Sequence, residues 1–323
     1  MQKAMSPNES TVRQDASSRP EKRSSPVNGI LLLDKPSGIT SNRALQLVKR
    51  IYGARKAGHT GSLDPLATGM LPICFGQATK ASHWLLDADK VYEAEAAIGV
   101  RTDTGDAEGE SVEVSPVRQI TRELLEGALD AHRGSIQQVP PMYSALKKDG
   151  KRLYQLAREG KEVERVARTV QIYALEVLRF DPVRPVLRVR CSKGTYIRTL
   201  VETIAAKMGT VAHIAALRRL SVAGFAEDQM VSMRDLELLA GDPAGLTRLL
   251  LPVDAGLVSM PSAVLTNEEA HYFCHGHPVG HVGALEGLVR IYDHRSAFLG
   301  VGEVLPDGRI TPRRLFIESA ADS

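Results

Sequence analysis

The first periodic signal along the chain is the apolar run Ile30-Leu31-Leu32-Leu33, closed by Lys35-Pro36-Ser37-Gly38. That pattern predicts a strand followed by a turn. Ser41 then stands where an N-cap belongs, ahead of Ala44, Leu45, Val48, Ile51 and Tyr52 on one helical face, and Gly53 stops the helix. Over 92–98 the period shortens to two. Tyr92, Ala94, Ala96 and Ile98 alternate with Glu93, Glu95 and Ala97, the mark of a half-buried strand. Helical spacing returns over 121–133 through Leu124, Leu125, Ala128 and Leu129, and Gly134 ends it. Further on, 169–180 and 186–191 predict a strand pair, and Ile197, Leu200, Val201, Ile204 and Met208 share one helical face. Ser232 with Asp235 forms a capping box for one more helix. Paired strands with irregularly interspersed helices predict an α+β fold on a largely antiparallel mixed sheet, not a doubly wound one.

Pro252, Pro261 and several small residues mark 249–261 as a domain junction. Beyond it, strand-like runs at 288–292 and 298–304 alternate with turn signals such as Asp307-Gly308. They predict a small β domain over 261–323, after a main domain over 29–260. Ahead of the first strand, 1–28 has no aromatic residue and is dense in Ser, Pro, Glu, Lys and Arg. Such a segment buries too little apolar area to offset its ordering entropy, so a disordered tail is expected, with Arg19, Lys22 and Arg23 among its cations.

Composition narrows the class. Hydrophobic residues make up 43% and charged residues 24%, an ordinary globular balance. The longest apolar runs fall far short of the ~20 residues that span a bilayer. No apolar signal-peptide core follows the N-terminus, so export is not expected. Cys74, Cys191 and Cys274 are few and far apart, which fits a reduced, cytoplasmic protein. A net charge of +3 neither requires nor excludes a nucleic-acid partner, so local distribution decides. Over 147–168 eight Lys/Arg face four Asp/Glu, with Tyr154 among them, a basic stretch in a nearly neutral chain.

The densest cluster of unusual residues is Gly58-His59-Thr60-Gly61-Ser62-Leu63-Asp64-Pro65-Leu66-Ala67-Thr68-Gly69. Its glycines and proline make a tightly shaped loop around one carboxylate. Pro65 biases Asp64 towards an extended backbone. Two readings stand at this point: a structural turn in which Asp64 caps neighbouring N–H groups, or a carboxylate presented for chemistry.

The string from His59 to Gly69 resembles the catalytic motif of the TruB-type tRNA pseudouridine synthases. The likeness continues in Leu31-Leu32-Leu33-Asp34-Lys35-Pro36, Arg101-Thr102-Asp103-Thr104-Gly105-Asp106 and Val139-Pro140-Pro141-Met142-Tyr143-Ser144-Ala145-Leu146-Lys147. It runs on through Cys191-Ser192-Lys193-Gly194-Thr195-Tyr196-Ile197-Arg198-Thr199-Leu200, Leu217-Arg218-Arg219-Leu220 and Pro312-Arg313-Arg314-Leu315. These segments are colinear from about Gly29 onward; only the tail is uncovered.

The resemblance implies isomerisation of uridine at position 55 in the T loop of tRNA, with the base flipped out of the RNA. It implies that Asp64 is the catalytic aspartate and that Arg198 pairs with it, a cation that favours the ionised carboxylate. A surface arginine in the first turn of a helix is the plain alternative, and it too would call for an acidic partner. Tyr92 matches the aromatic that stacks on the target base, although an alternating strand also buries such a tyrosine in a core. Tyr196 and Leu217 match pocket residues suited to a flipped uracil. His59 matches the residue that fills the space the base leaves. Asp106 reads equally as an RNA contact and as part of a solvated acidic turn. The resemblance makes 137–168 a thumb-like insertion that closes on RNA and 261–323 an RNA-binding β-barrel of PUA type. Because the isomerisation adds no outside group and changes no oxidation state, no cofactor is expected. A monomer with no protein partner and no membrane contact completes the expectation.

Two other motifs lead nowhere. Asp103-Thr104-Gly105 imitates the aspartic-protease triplet without a second copy, and Ser144-Ala145-Leu146-Lys147 lacks the Lys-Thr-Gly that accompanies Ser-x-x-Lys enzymes. The segment His271, Cys274, His275, His277, His281 gathers potential metal ligands in one stretch, but metal sites pair ligands from two elements, and only His294 stands ready as a further one. No metal is expected.

Overall fold

The computed structural model describes residues 26–117, 120–280 and 285–316. Most of the expected tail, up to position 25, lies outside the described residues, as does His281. Among the described residues no helix is long and apolar enough to cross a membrane.

A mixed nine-stranded sheet organises the larger part of the chain. Its order runs Val231–Ser232, Gly29–Lys35, Thr68–Phe75, Ala212–Val222, Lys90–Ile98, Val186–Cys191, Arg168–Arg179 and Gly134–Gln138, with Ala57–His59 added beside Thr68–Phe75. Two pairings are parallel, Gly29–Lys35 with Val231–Ser232 and Ala212–Val222 with Thr68–Phe75; the others are antiparallel. The expected α+β sheet is therefore present. Its centre, however, is Ala212–Val222, a strand that the hydrophobic pattern did not announce.

The predicted elements stand with small shifts. The apolar run at Ile30 lies within Gly29–Lys35, whose residues are nearly all buried. The helix Ser41–Ile51 buries Ala44, Leu45 and Val48, but its N-cap is Thr40, whose side chain accepts from the Arg43 N–H. Ser41 is instead the first helical residue, and its hydroxyl is turned to Leu63 in the loop that follows Ala57–His59. Thr121 caps the helix Arg122–Asp130, and Gly134 opens the next strand rather than merely stopping a helix. Ser232 caps Met233–Leu238 through the Asp235 N–H. One apolar core joins the sheet to the helices Ser41–Ile51, Arg122–Asp130 and Ile197–Lys207, with Leu63 and Ala67 of the loop tucked into it.

The insertion begins and ends at one rung of the sheet, where Gln138 faces Arg168. Between them lie a short hairpin, Lys147–Lys148 with Lys151–Arg152, and the helix Leu153–Arg158. Lys147, Lys148, Lys151, Arg152, Arg158, Lys161 and Arg168 are all exposed.

The junction at 249–261 is not a free linker. Ile30 and Leu251 exchange backbone hydrogen bonds at 2.9 and 2.8 Å, and Leu251, Val253 and Ala255 pack on the buried face of Ile30, Leu32, Met70 and Phe225. The C-terminal part is a four-stranded sheet, Ser262–Val264, Leu288–Tyr292, Phe298–Val304 and Ile310–Leu315, packed on the helix residue Phe273. Among the described residues its first and last strands do not pair, although Val279 bridges to Ile310. Ala81, Leu257, Val301 and Phe316, flanked by Trp84 and Phe298, form an apolar seam between the two parts.

Candidate active site

The loop between Ala57–His59 and Thr68–Phe75 is held from below at almost every turn. Asp64 and Pro65 form a β-turn in which the Ala67 N–H donates to the Asp64 carbonyl at 3.1 Å, with proline at the second position where its fixed φ fits. The Ser41 hydroxyl accepts from the Leu63 N–H at 2.7 Å and donates to its carbonyl at 3.0 Å. Pro65 O accepts from the Gly38 N–H at 2.9 Å and from Lys35 Nζ at 3.3 Å, while Ser37 donates to Leu66 O at 3.0 Å. Lys35 is fully buried, and burial pulls its pKa down to about 8 against the pull of Glu108 and Asp64. These bonds fix the loop backbone and leave the Asp64 side chain uncommitted to it. Asp64 is therefore not an N–H cap.

Its partner is Arg198, in the first turn of the helix Ile197–Lys207. Nε lies 3.0 Å from Asp64 Oδ2 and Nη2 3.4 Å from Oδ1. The same guanidinium donates to Thr104 O at 2.6 Å and Tyr143 O at 2.7 Å, and approaches Asp106 Oδ2 at 3.5 Å. The arginine side chain is only 6% exposed, yet the Asp64 carboxylate is 40% exposed. A buried cation thus backs a half-buried carboxylate. Burial pushes the Asp64 carboxyl above its ordinary value and Asp106 adds to this, while Arg198 and Lys35 hold it back. Asp106 is no RNA-facing or solvated residue: it is buried, accepts from Thr104 Oγ1 at 2.7 Å and from the Glu108 N–H at 3.1 Å, and shares Arg198 with Asp64.

Tyr92 and Leu217 lie on neighbouring strands and in the same core, with Tyr92 facing Arg219 and Leu217 facing Ala94 across the pair. Burial raises the Tyr92 hydroxyl, Arg219 opposes it, and Asp64 is close enough to add to the rise. Tyr196, half-buried, precedes the Arg198 helix and exchanges backbone bonds with the buried side chain of Gln138, at 2.7 and 3.0 Å. Burial raises its hydroxyl too, and the charges of Arg198 and Asp64 both reach it. His59 stands at the loop's start with Nδ1 buried and unbonded among the described residues. Burial, then Arg219 and Arg152, lower its pKa, so the ring is neutral at pH 7.

Three family models match consecutive parts of the chain: the TruB family pseudouridylate synthase N-terminal domain over 49–197, the tRNA pseudouridylate synthase B C-terminal domain over 198–258, and the pseudouridine synthase II TruB C-terminal model over 261–316. A relative from Pseudomonas paraeruginosa named tRNA pseudouridine synthase B is 52% identical over 292 residues, 90% of this chain and 96% of that one. The chain belongs to the TruB family of pseudouridine synthases. A relative of the same name from Shigella boydii is 49% identical over 314 residues, covering 94% of this chain and all of its own. Among solved structures, a Cbf5-Nop10-Gar1 complex contains a chain similar at TM-score 0.69 and 23% identity, covering 90% of this chain and 85% of that one, which shows the fold alone.

In this TruB-family chain the structure brings together part of the set expected from sequence. Asp64 and Arg198 are in contact, Tyr92 and Tyr196 lie within reach of the Asp64 charge, and Leu217 shares the Tyr92 core. Among the described residues His59 makes no hydrogen bond to Asp64 or Arg198, and it flanks the loop instead. Sequence reasoning missed two supports, Lys35 under the loop and Arg219, and gave Asp106, which stands behind Arg198, a different place. The signal for Arg219 was weak: two adjacent arginines, of which a strand would turn one inward. Among the described residues no group of three His, Cys, Asp or Glu is placed to hold a metal ion. His271 and His275 stack on each other with ring centroids 4.3 Å apart.

Proposed function

We propose that this TruB-family chain converts uridine to pseudouridine at position 55 in the T loop of tRNA, with Asp64 as the catalytic residue. The observation that carries the reading is the Asp64–Arg198 pair at 3.0 Å, a partly exposed carboxylate backed by a buried cation. The bond from ribose C1′ to N1 breaks, the base turns, and a bond from C1′ to C5 forms. C5 gives up its hydrogen as a proton and N1 gains one, so atoms balance without a cofactor. Asp64 serves either by attacking carbon or by accepting a proton, and both need the ionised carboxylate. The carboxyl's raised pKa strengthens it in either role.

Reaching C1′ and C5 requires the base to leave the stack, and Tyr92, Tyr196 and Leu217 supply an aromatic and apolar pocket for it. His59 fills the vacated place. The exposed cations of 137–168 suit a thumb that closes on the phosphates of the T arm, and Arg313 and Arg314 give the C-terminal sheet a similar role. The relatives' shared name, tRNA pseudouridine synthase B, supports tRNA as the substrate. The test is incubation of the purified chain with a T-arm stem-loop, followed by nucleoside analysis. One pseudouridine per RNA at unchanged mass is expected, and none when cytidine replaces the uridine at position 55. Conversion of other uridines instead would contradict the site, and no conversion would contradict the activity.

A further inference from the structure

We propose that Arg219 is a positioning residue for this reaction: one buried guanidinium ties together the two ends of the Asp64 loop and stands beside Tyr92. The inference rests on the function proposed above. Arg219 is 1% exposed and occupies an inward position of the central strand Ala212–Val222. Its Nε donates to Met70 O at 2.7 Å and its Nη2 to Gly61 O at 3.1 Å. Gly61 and Met70 lie on either side of Asp64 in the sequence, so a single side chain closes the loop like a clasp. The backbone contributes as well. Arg219 faces Gly69 across the parallel pair, and a Cβ on Gly69 would meet Arg219 O at 2.3 Å, so only glycine admits this approach. On the opposite edge Arg219 faces Tyr92, and side chains paired in this way stand on the same face of the sheet.

The electrostatics set this residue apart from an ordinary structural arginine. A fully buried guanidinium is normally paired with a carboxylate, because desolvating the charge is costly. Among the described residues Arg219 forms no ion pair; it bonds the Gly61 carbonyl in the loop, the Met70 carbonyl in the strand that follows, and the Tyr92 hydroxyl. A like charge lies nearby on Lys90, itself 7% exposed, which bonds to Leu86 O and Ala88 O. An apolar side chain would fill such a core position without that cost. The retained charge is explained by what it holds: the carbonyls of a loop whose central carboxylate must stay within a fraction of an ångström of its place. A misplacement of ~1 Å costs on the order of 10²-fold in rate.

The test uses Arg219→Met, Arg219→Lys and Asp64→Asn in the full chain, with single-turnover rates and tRNA Kd measured for each. Arg219→Met is expected to lower the rate on the order of 10²-fold while Kd stays within about threefold, since phosphate contacts lie elsewhere. Arg219→Lys should recover part of the rate, because it keeps the charge and a donor but lacks the guanidinium's planar fork, which reaches both ends of the loop at once. The acid limb of the rate should keep its wild-type position, as Arg219 does not touch Asp64. Amide exchange should quicken over 60–69 in Arg219→Lys and stay unchanged over 186–191 and 197–207. A folded Arg219→Met within about threefold of the wild-type rate overturns the proposal, as does exchange that quickens evenly across the sheet. If Arg219→Met does not fold, Arg219→Lys decides by the same measurements; collapse of both makes Arg219 a residue of the fold and overturns it too. An active Asp64→Asn would refute the proposed reaction itself, whereas an inactive Asp64→Asn beside active Arg219 variants refutes only the positioning role of Arg219.

Discussion

Replacing Arg198 with Met removes the guanidinium while keeping an apolar stem of similar reach. The lost cation serves two carboxylates of unequal exposure: Asp64 is 40% exposed, Asp106 6%. Breaking a buried pair by deleting one partner costs about 3–5 kcal/mol, whereas exposed pairs contribute about 0–1 kcal/mol. The cost therefore falls mainly on the Asp106 side and on the carbonyls of Thr104 and Tyr143, which lose bonds of 2.6 and 2.7 Å. A loss of about 3 kcal/mol at pH 7 is expected. Acid should soften it, because a proton on Asp64, whose carboxyl burial already raises, removes a charge left without a partner. The activity should respond in a defined direction. Arg198 holds the Asp64 carboxyl down against burial, so its removal raises that pKa and moves the acid limb of the rate to higher pH. Urea unfolding at pH 7 and pH 5, with single-turnover rates from pH 5 to 9, measures both effects. An acid limb at its wild-type position, with a stability loss equal at both pH values, would refute the electrostatic role of Arg198.

Three further expectations follow from the same geometry. Lys35 has its pKa lowered from 10.5 to about 8 by burial, so between these values the unfolded chain binds more protons and stability rises with pH. Urea unfolding should show wild type gaining about 3 kcal/mol on Lys35→Met between pH 8 and 10.5; a flat difference contradicts a charged, buried Lys35. Truncation after Met260 strips Val301, Phe298 and Phe316 from Trp84 and Ala81, exposing the seam. Since Trp84 is the chain's single tryptophan, its emission should shift to the red and stability fall by roughly 5 kcal/mol, at 1.5–3 kcal/mol per buried side chain; unchanged emission would mean that the seam does not persist. Neutralising Lys147, Lys148 and Lys151 to Gln should weaken tRNA binding and flatten the log–log salt slope by about 1 for each lost phosphate contact. An unchanged slope would remove the thumb from the RNA interface.

How much of this was legible in the sequence depended on how local the signal was. Gly29–Lys35 carries an unbroken apolar run, Lys90–Ile98 and the Arg198 helix carry clean periodicity, and all three stand as expected. The central strand Ala212–Val222 does not, because bulges between Ile214 and Ala216 and between Arg219 and Ser221 break its alternation, and Arg219 occupies a core position. Ser41 looked like a cap, but a serine beside a threonine offers two candidates, and the loop at Leu63 claimed the second. Physical reasoning alone could not choose between a turn-capping and a chemical Asp64, since its partner is 134 positions away. The family string supplied the partner. Asp106 was misjudged because composition cannot say which acid of an acidic turn folds inward; Thr104 and Arg198 decide that in three dimensions. The junction at 249–261 was legible as a boundary from its prolines, but not that its leucine and valine side chains bind the two parts together.

Catalysis by Asp64 is read out by tritium release from tRNA labelled at C5 of its uridines, because forming the C1′–C5 bond expels that hydrogen. Wild-type protein is expected to release one equivalent per tRNA and then stop. Asp64→Asn, which keeps the side-chain shape but loses the ionised oxygen, is expected to release none while binding tRNA with a Kd within about threefold of wild type. Substantial release by a folded Asp64→Asn protein, or none by wild type, would contradict the account.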